Sequence, residues 1–192
     1  MKRVMFVIMG VCMIAAGSLW LARNRLESDH AGAESVSVIP ILRQELMETS
    51  VEEGPTVPQM FEMTEIEVNG RIYIGLLEIP KLELELPVLS VWNEENAKAA
   101  PCRFIGSIYQ NNLIICAHNY KSHFGRLQEL EVGDEVRFTD LDGNQIRFQT
   151  SGFEVLAGTA WMEMESGDWD LTLFTCIHQG KDRFVVRCAS LG

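Results

Sequence analysis

Two apolar segments of the chain lead into side chains that are suited to nucleophilic chemistry. Leu113–Ala117 leads into His118, and Leu171–Thr175 leads into Cys176, which Arg183 follows shortly after. A thiolate is a strong nucleophile, and a nearby positive charge lowers the pKa of a thiol. A histidine can exchange protons with the thiol and with a leaving amine, while a guanidinium can stabilise an oxyanion. The pattern indicates covalent acyl transfer at Cys176, but a strand-end cysteine is also typical of an inert core thiol.

The same two segments fit a structural metal site. Cys116 and His118 are spaced as Cys-x-His, as are Cys176 and His178, and residues two apart share one face of a strand. If the two strands were neighbours, the four side chains could hold zinc in a tetrahedral site. Structural zinc sites usually have longer spacings within each pair, which counts against this interpretation. A zinc-bearing binding barrel is nevertheless kept as an alternative.

The cysteines allow a third interpretation. The chain has 5 of them, and Cys12 lies in an apolar N-terminal run. Cys102, Cys116, Cys176 and Cys188 could pair as disulfides in an oxidising compartment. A disulfide-bonded extracellular binding barrel is therefore the other non-catalytic alternative.

Residues 66–192 predict a mainly β domain. Stretches of alternating or continuous apolar residues are typical of strands, and they cover Arg71–Ile79, Leu82–Leu89, Leu113–Ala117, Glu135–Thr139, Gln145–Thr150, Leu171–Cys176 and Arg183–Cys188. Asn93–Ala99 and Phe124–Leu130 are expected to be short helices, and Asp140–Asn144 a hairpin turn. About eight short strands with only brief helices between them favour a closed or nearly closed β-barrel.

Residues 1–25 predict a cytoplasmic tip and a transmembrane signal anchor. Val4–Ala22 is apolar and uncharged, and Trp20 near its end suits a membrane interface. At a rise of about 1.5 Å per residue this run just spans a hydrocarbon core of roughly 30 Å. A cleaved signal peptide is the alternative, because Ala15-Ala16-Gly17 resembles a cleavage site. Both readings place the rest of the chain outside the cell, and a retained anchor makes it a single-pass membrane protein.

Charge and composition after this run predict an acidic stalk over residues 26–65. This segment contains Pro40, Gly54, Pro55 and Pro58 and one short candidate helix, at 41–49. All 27 acidic residues of the chain lie from Glu27 onward, whereas four of its 16 basic residues lie before that point. Such a surface repels phosphate backbones, so nucleic acids are not expected as partners.

Several motifs together resemble one protein family. Residues 172–176, Thr-Leu-Phe-Thr-Cys, match the Thr-Leu-x-Thr-Cys signature of sortases, the transpeptidases that attach proteins to Gram-positive cell walls. The segments 79–82 and 86–88 resemble the early strand pair of that family, and 183–186 resembles the strand that carries its arginine. Residues 117–119 resemble its histidine segment, with Ala117 where glycine is usual. The similarity extends over about residues 72–189.

The resemblance implies a fold and a reaction. The fold would be a closed eight-stranded sortase-type β-barrel with short helices, after an N-terminal transmembrane helix and stalk. Cys176 would attack the Thr-Gly bond of an LPXTG-like C-terminal sorting motif and form a thioester. His118 would serve as general acid and base, and Arg183 would position the motif and stabilise the intermediate. The partners would be secreted proteins with such motifs and a cell-wall precursor, or another amine, as acceptor.

The resemblance also implies residues that contact the substrate. Thr175 is expected to help bind the motif, as is Asn119. Trp161 and Trp169 bracket an acidic loop that shapes the substrate groove in sortases, so both are expected to contact substrate. Arg187 is the rival of Arg183, since both lie on one face of a strand.

Further expectations concern subclass and cofactor. No metal or other cofactor is expected, and no loop has a calcium-ligand spacing that would indicate calcium dependence. A pilin-polymerising sortase, which differs in the nucleophile supplied, is an alternative. The short interval from Thr172 to Arg183 and the His-Asn-Tyr segment at 118–120 suggest an enzyme nearer class B or class D than class A.

Overall fold

The computed structural model describes residues 2–49 and 62–191. The predicted stalk residues 50–61 lie outside the described residues. The helices are α1 (Lys2–Thr49), α2 (Glu94–Ala99) and α3 (Trp161–Glu165). The strands are β1 (Ile66–Val68), β2 (Arg71–Ile79), β3 (Leu84–Leu89), β4 (Cys102–Ile105), β5 (Leu113–Ala117), β6 (Glu135–Asp140), β7 (Gln145–Ala157), β8 (Leu171–Ile177) and β9 (Asp182–Ser190). Single turns of 3-10 helix lie at Pro80–Leu82, Ile108–Gln110, Leu127–Glu129 and His178–Gly180.

Eight of these strands close into a barrel, as expected. The sheet has the order β1-β2-β3-β4-β5-β8-β9-β7-β6, and β6 pairs back onto β2. Strand β1 pairs with the start of β2, ahead of the residues that pair with β6, so it lies outside the ring. Most neighbours are antiparallel, whereas β3 with β4 and β5 with β8 are parallel. The fold is therefore a mixed barrel.

Two layers of apolar side chains hold the barrel together. The strands fill the interior with residues such as Ile115, Phe138, Leu173 and Val186, all fully or almost fully buried. The outer face of β4, β5, β8 and β9 carries a second layer, formed by Cys102, Ile114, Cys116, Phe174 and Val185. Helices α1, α2 and α3 cover this outer layer, which keeps its apolar side chains from water.

Helix α1 continues through Thr49 and packs on the barrel with its second half. The buried positions Ala31, Ser35, Val38 and Leu42 recur at the spacing of one helical face. The ion pairs Glu34–Arg71 and Arg43–Glu85 flank this face. Here the structure differs from the expected stalk, because residues 26–49 belong to a continuous helix that includes Pro40. The domain boundaries themselves remain a prediction.

The other differences from expectation concern short elements. The pattern did not predict β1, β4 or α3, and β3 begins two residues later than expected because Pro80–Leu82 forms a turn. Strand β7 extends well beyond the expected Thr150, to Ala157. Within the part of the chain that the structure describes, no helix meets the length and hydropathy required of a membrane-spanning segment.

Helix α1 covers a histidine that lies outside the expected site. His123 is fully buried, and its Nε2 lies 3.3 Å from the hydroxyl oxygen of Ser35 on α1. Burial, together with the neighbouring His118, lowers the pKa of His123 to about 4. The folded protein therefore favours the neutral imidazole.

We expect the docking of α1 to depend on Leu42. The fully buried Leu42 packs in the outer apolar layer, so Leu42→Ala should lower the free energy of unfolding by about 2–5 kcal/mol. Urea unfolding of the whole chain in mild detergent measures this. Ile41→Ala is the matched control, because Ile41 is 43% exposed, and it should change stability by less than about 0.5 kcal/mol. Equal small effects of both changes would contradict the docking of α1.

His123 should make stability depend on pH. Between the folded pKa of about 4 and the ordinary value near 6.5, the unfolded chain binds more protons, so stability falls as pH drops through this window. The contribution of His123 amounts to about 3 kcal/mol. Urea unfolding at a series of pH values should show a flatter slope in His123→Gln than in the parent protein. A slope in His123→Gln as steep as that of the parent protein would refute the assignment.

Candidate active site

The pairing of three strands brings His118, Cys176 and Arg183 into one row. In the parallel β5–β8 pair, Cys116 lies opposite Phe174 and Ala117 opposite Thr175, so the next position places His118 beside Cys176. In the antiparallel β8–β9 pair, Cys176 lies opposite Arg183. Neighbouring strands are about 4.8 Å apart, so His118 and Arg183 occupy the positions on either side of Cys176.

The row lies at one end of the outer apolar face. Cys176 follows Phe174 by two residues and therefore shares its outward side, and it is the one partly exposed cysteine among the described strands. Strand β8 then ends at Ile177, and the turn His178–Gly180 returns the chain directly into β9. Cys176 is therefore partly exposed, above a buried apolar floor.

A tight turn fixes His118 at the end of β5. The carbonyl of His118 accepts a hydrogen bond from the backbone N–H of Phe124, and that of Tyr120 accepts from His123 and Gly125. Phe124 is fully buried in the barrel interior and anchors this turn. The ring of Tyr120 lies 5.1 Å from the His118 ring, centroid to centroid. The histidine is thus held by its own loop.

Burial tunes the proton affinity of His118. Desolvation lowers its pKa below the ordinary value, and Lys98 on α2 lowers the pKa further, while Glu94 and Glu27 act in the opposite direction. Its Nε2 is buried and has no hydrogen-bond partner among the described residues. A neutral imidazole with an unpartnered ring nitrogen is suited to take up or give a proton.

Arg183 is oriented from two sides. Its Nη1 donates to the carbonyls of Gly180 and Asp182, at 2.9 and 3.2 Å. Its Cζ lies 5.8 Å from the centre of the Trp161 ring, the geometry of a cation–π contact. An added Cβ at Gly158 would lie only 3.2 Å from Nη1, so the absence of a side chain at Gly158 leaves room for the guanidinium.

Arg187 has a different environment from Arg183. It is 2% exposed, and its guanidinium donates to the carbonyls of Glu163 and Met164, to Thr172 and to Glu154. With its two terminal nitrogens so engaged it is directed into the protein, whereas Arg183 lies beside the thiol. The structure therefore supports Arg183 over Arg187 as the arginine of the site.

The four expected substrate-binding residues have different surroundings. Thr175 is buried and donates its hydroxyl proton to the Ala117 carbonyl at 2.8 Å, so it fastens β8 to β5 and its side chain points away from the thiol face. Trp161 is 42% exposed and lies against Arg183. Asn119 is exposed next to His118. Trp169 packs against Gly167 in the loop before β8, and no described contact joins it to the row.

Two aromatic residues near the row were not expected from the sequence. Phe104 on β4 stacks on Trp161, with ring centroids 5.4 Å apart, and meets Phe174 edge-on at the same separation. Trp92, which is 47% exposed, lies edge-on to Phe104. These aromatic residues form an exposed strip along the outer face. Only strand β4, which the sequence pattern did not predict, would have indicated this strip.

The geometry does not favour the two non-catalytic alternatives. His178 is exposed and pairs with Asp182 at 2.8 Å instead of converging on Cys116, and the described residues contain no group of three or more candidate metal ligands. All five cysteines are free thiols. Burial raises the pKa of Cys102 to about 12 and raises that of Cys116 still more. Thiols so buried and protonated react poorly.

The chain and its fold are similar to known proteins. Residues 77–191 match the family model described as the sortase domain. Over 96% of its length the chain is 22% identical to a protein called sortase A from Bacillus anthracis, of which it covers 94%. Among solved structures, a Clostridium perfringens sortase D5 transpeptidase has a TM-score of 0.57 at 17% identity, over 85% of this chain and 99% of that chain. Sortase C1 from Streptococcus agalactiae has a TM-score of 0.58 at 18% identity, over 81% and 89%.

The pKa of His118 should respond in opposite directions to two changes on α2. Lys98→Gln removes a positive charge that disfavours the imidazolium and should raise this pKa, whereas Glu94→Gln removes a favourable negative charge and should lower it. NMR titration of the His118 ring protons measures both shifts. The two residues are exposed and four apart, so each variant controls for the other. Shifts of the same sign, or none, would contradict the packing of α2 near His118.

Proposed function

Since this chain belongs to the sortase family, whose members are cysteine transpeptidases, we propose that it cleaves an LPXTG-like C-terminal sorting motif and joins the new end to an amine of the cell wall. The observation that supports this most directly is the row of His118, Cys176 and Arg183 across three neighbouring strands. Nucleophile, proton carrier and oxyanion donor are the groups that acyl transfer through a thiol requires.

The first half of the reaction forms a thioester. His118 takes the proton of the Cys176 thiol, the thiolate attacks the carbonyl carbon of the Thr-Gly bond, and the carbonyl oxygen becomes an oxyanion. As the C–N bond breaks, His118 gives a proton to the departing glycine amine. In the second half, the acceptor amine attacks the thioester carbonyl, His118 takes the amine proton, and the Cys176 thiolate leaves. The enzyme is then restored.

Arg183 stabilises the oxyanion in both halves. Nη1 is occupied by two backbone carbonyls, which hold the guanidinium plane, and Nε is buried without a partner among the described residues. Donors fixed before the charge develops need no reorganisation during the reaction, which is why preorganised oxyanion sites are effective.

The exposed aromatic strip forms the wall along which the sorting motif lies. Trp161, Phe104 and Trp92 offer flat apolar surfaces beside the thiol, and such surfaces suit the leucine and proline of an LPXTG-like motif. Asn119 contributes at the other side of the thiol. The position of Thr175 gives it a supporting role, through its bond to Ala117.

The N-terminal apolar run supports a location at the cell surface. We propose that residues 4–22 anchor the chain in the membrane, with residues 66–192 on the extracellular side. An anchored enzyme, a membrane-retained substrate and a wall precursor would share one thin layer, which raises their effective concentrations. A pilin-polymerising sortase would have the same row of residues, and the acceptor amine distinguishes it.

A covalent adduct on Cys176 tests the proposal. Intact mass spectra of the whole chain in mild detergent, incubated with LPXTG-type peptides, should show an acyl adduct that disappears when an amine is added. Cys176→Ala should give no adduct, and Cys188→Ala, which alters a buried thiol, should keep it. A wall-peptide amine that releases the adduct faster than a lysine-bearing pilin-like peptide favours wall anchoring. An adduct retained in Cys176→Ala would refute the assignment.

Replacement of Arg183 by lysine should slow the reaction strongly. Arg183→Lys keeps the charge but loses the forked donors, so kcat/KM should fall about 10²-fold or more, while urea unfolding should remain close to that of the parent. Steady-state transfer of the peptide to an amine measures the rate. Arg187→Lys serves as the comparison and should cost a smaller factor, because Arg187 is buried and its guanidinium is engaged by other partners. A mild loss for Arg183→Lys would count against its proposed role.

A further inference from the structure

Arg187 is the largest fully buried side chain of the barrel, and its surroundings are unusual for a buried charge. Burying a guanidinium is costly unless hydrogen bonds compensate for the lost water. Nη1 donates to the Met164 carbonyl at 2.7 Å and to the Thr172 hydroxyl at 3.1 Å. Nη2 donates to the Glu163 carbonyl at 2.7 Å and to a Glu154 oxygen at 3.2 Å. The shortest two bonds therefore go to neutral backbone, and the carboxylate is the more distant partner.

These two carbonyls belong to the last turn of α3. A helix leaves the final carbonyls without partners inside the helix, and a five-residue helix has little stability of its own. A cation at the C-terminal end also interacts favourably with the helix dipole. Arg187 on β9 thus attaches α3 to the barrel, together with the buried side chain of Met164.

The other end of α3 touches the active site. Trp161, the first residue of the helix, stacks on Phe104 at an interplanar angle of 19° and lies under the guanidinium of Arg183. One short helix therefore contacts both arginines of β9, with Arg187 at its last turn and Arg183 at its first residue. A shift of the Glu163 and Met164 carbonyls would move Trp161, because less than one turn of helix separates them.

We propose that Arg187 is a positioning residue, which holds α3 so that the Trp161 ring fixes the guanidinium of Arg183 beside Cys176. This rests on the proposed role of Arg183 in the reaction. Lysine cannot replace Arg187, since one ammonium cannot reach two successive carbonyls and a hydroxyl with the planar geometry of a guanidinium. The pairing with Glu154 is secondary, because that carboxylate side chain is 40% exposed.

A double-mutant cycle tests the proposal. Arg187→Lys should lower kcat by about tenfold in the parent protein, but by less than about twofold in the Arg183→Lys background, where the group being positioned is already absent. A purely structural role of Arg187 predicts the same factor in both backgrounds, and that result would overturn the proposal. The rates are measured well below the unfolding temperature of each variant. Glu154→Gln is the control, which should change kcat by less than twofold.

A second readout does not depend on turnover. In NMR spectra that resolve arginine side chains, the Nε–H signal of Arg183 should shift and broaden in Arg187→Lys and in Trp161→Leu, and should keep its position in Glu154→Gln. Should Arg187→Lys fail to fold, Trp161→Leu still carries the test, because the tryptophan is 42% exposed and lies outside the barrel interior. An unchanged Arg183 signal in both variants would overturn the proposal. If the signal shifts but no peptide forms an adduct with Cys176, the positioning stands and the proposed reaction fails.

Discussion

The parallel pairing of β5 with β8 is the constraint on which the site depends. It aligns Ala117 with Thr175, and the Thr175 hydroxyl secures that register with a bond to the Ala117 carbonyl. A slip by one residue would turn either His118 or Cys176 to the opposite face of the sheet. Parallel neighbours also require a long connection, and the chain between β5 and β8 supplies the His118 turn, β6, β7 and α3. The same pairing therefore sets the geometry of the site and the topology of half the barrel.

A second feature of the site is that its supports come from outside the barrel. The interior is an ordinary packed core, whereas the outer face beneath the row is covered by three helices of very different length. Helix α2 brings Lys98 and Glu94 towards His118, α3 brings Trp161 towards Arg183, and α1 seals His123 behind the His118 turn. Helices α1 and α2 therefore act on the His118 side of the row, and α3 acts on the Arg183 side. The reactivity of the thiol can thus be tuned without altering the barrel itself.

Sequence patterns predicted the strands that are governed by apolar runs. The bounds of β2 and β5 agree with expectation, as do the capping residue Asn93 and the barrel class. Strand β4 was missed because Pro101 and Gly106 leave only a short stretch between them, and α3 was missed because it depends on Arg187, a residue distant in sequence. The docking of α1 was not predicted, because the segment is acidic and only one residue in three or four along its docked half is buried. The family and the class of enzyme could be predicted, but the contacts that support the candidate residues could not, since they join segments far apart in the chain.

The burial of the other barrel cysteines has a practical consequence. Cys102, Cys116 and Cys188 are enclosed by apolar neighbours that keep their thiols protonated, while Cys176 is partly open to water. Once the exposed Cys12 on α1 is replaced, a water-soluble electrophile meets a single reactive sulfur, the one on the barrel. The amount of label bound then gives the number of molecules with a reactive Cys176 in a sample. A reporter group attached to Cys176 lies between the two flanking strands. Selective covalent chemistry is in this sense already built into how the outer face is packed.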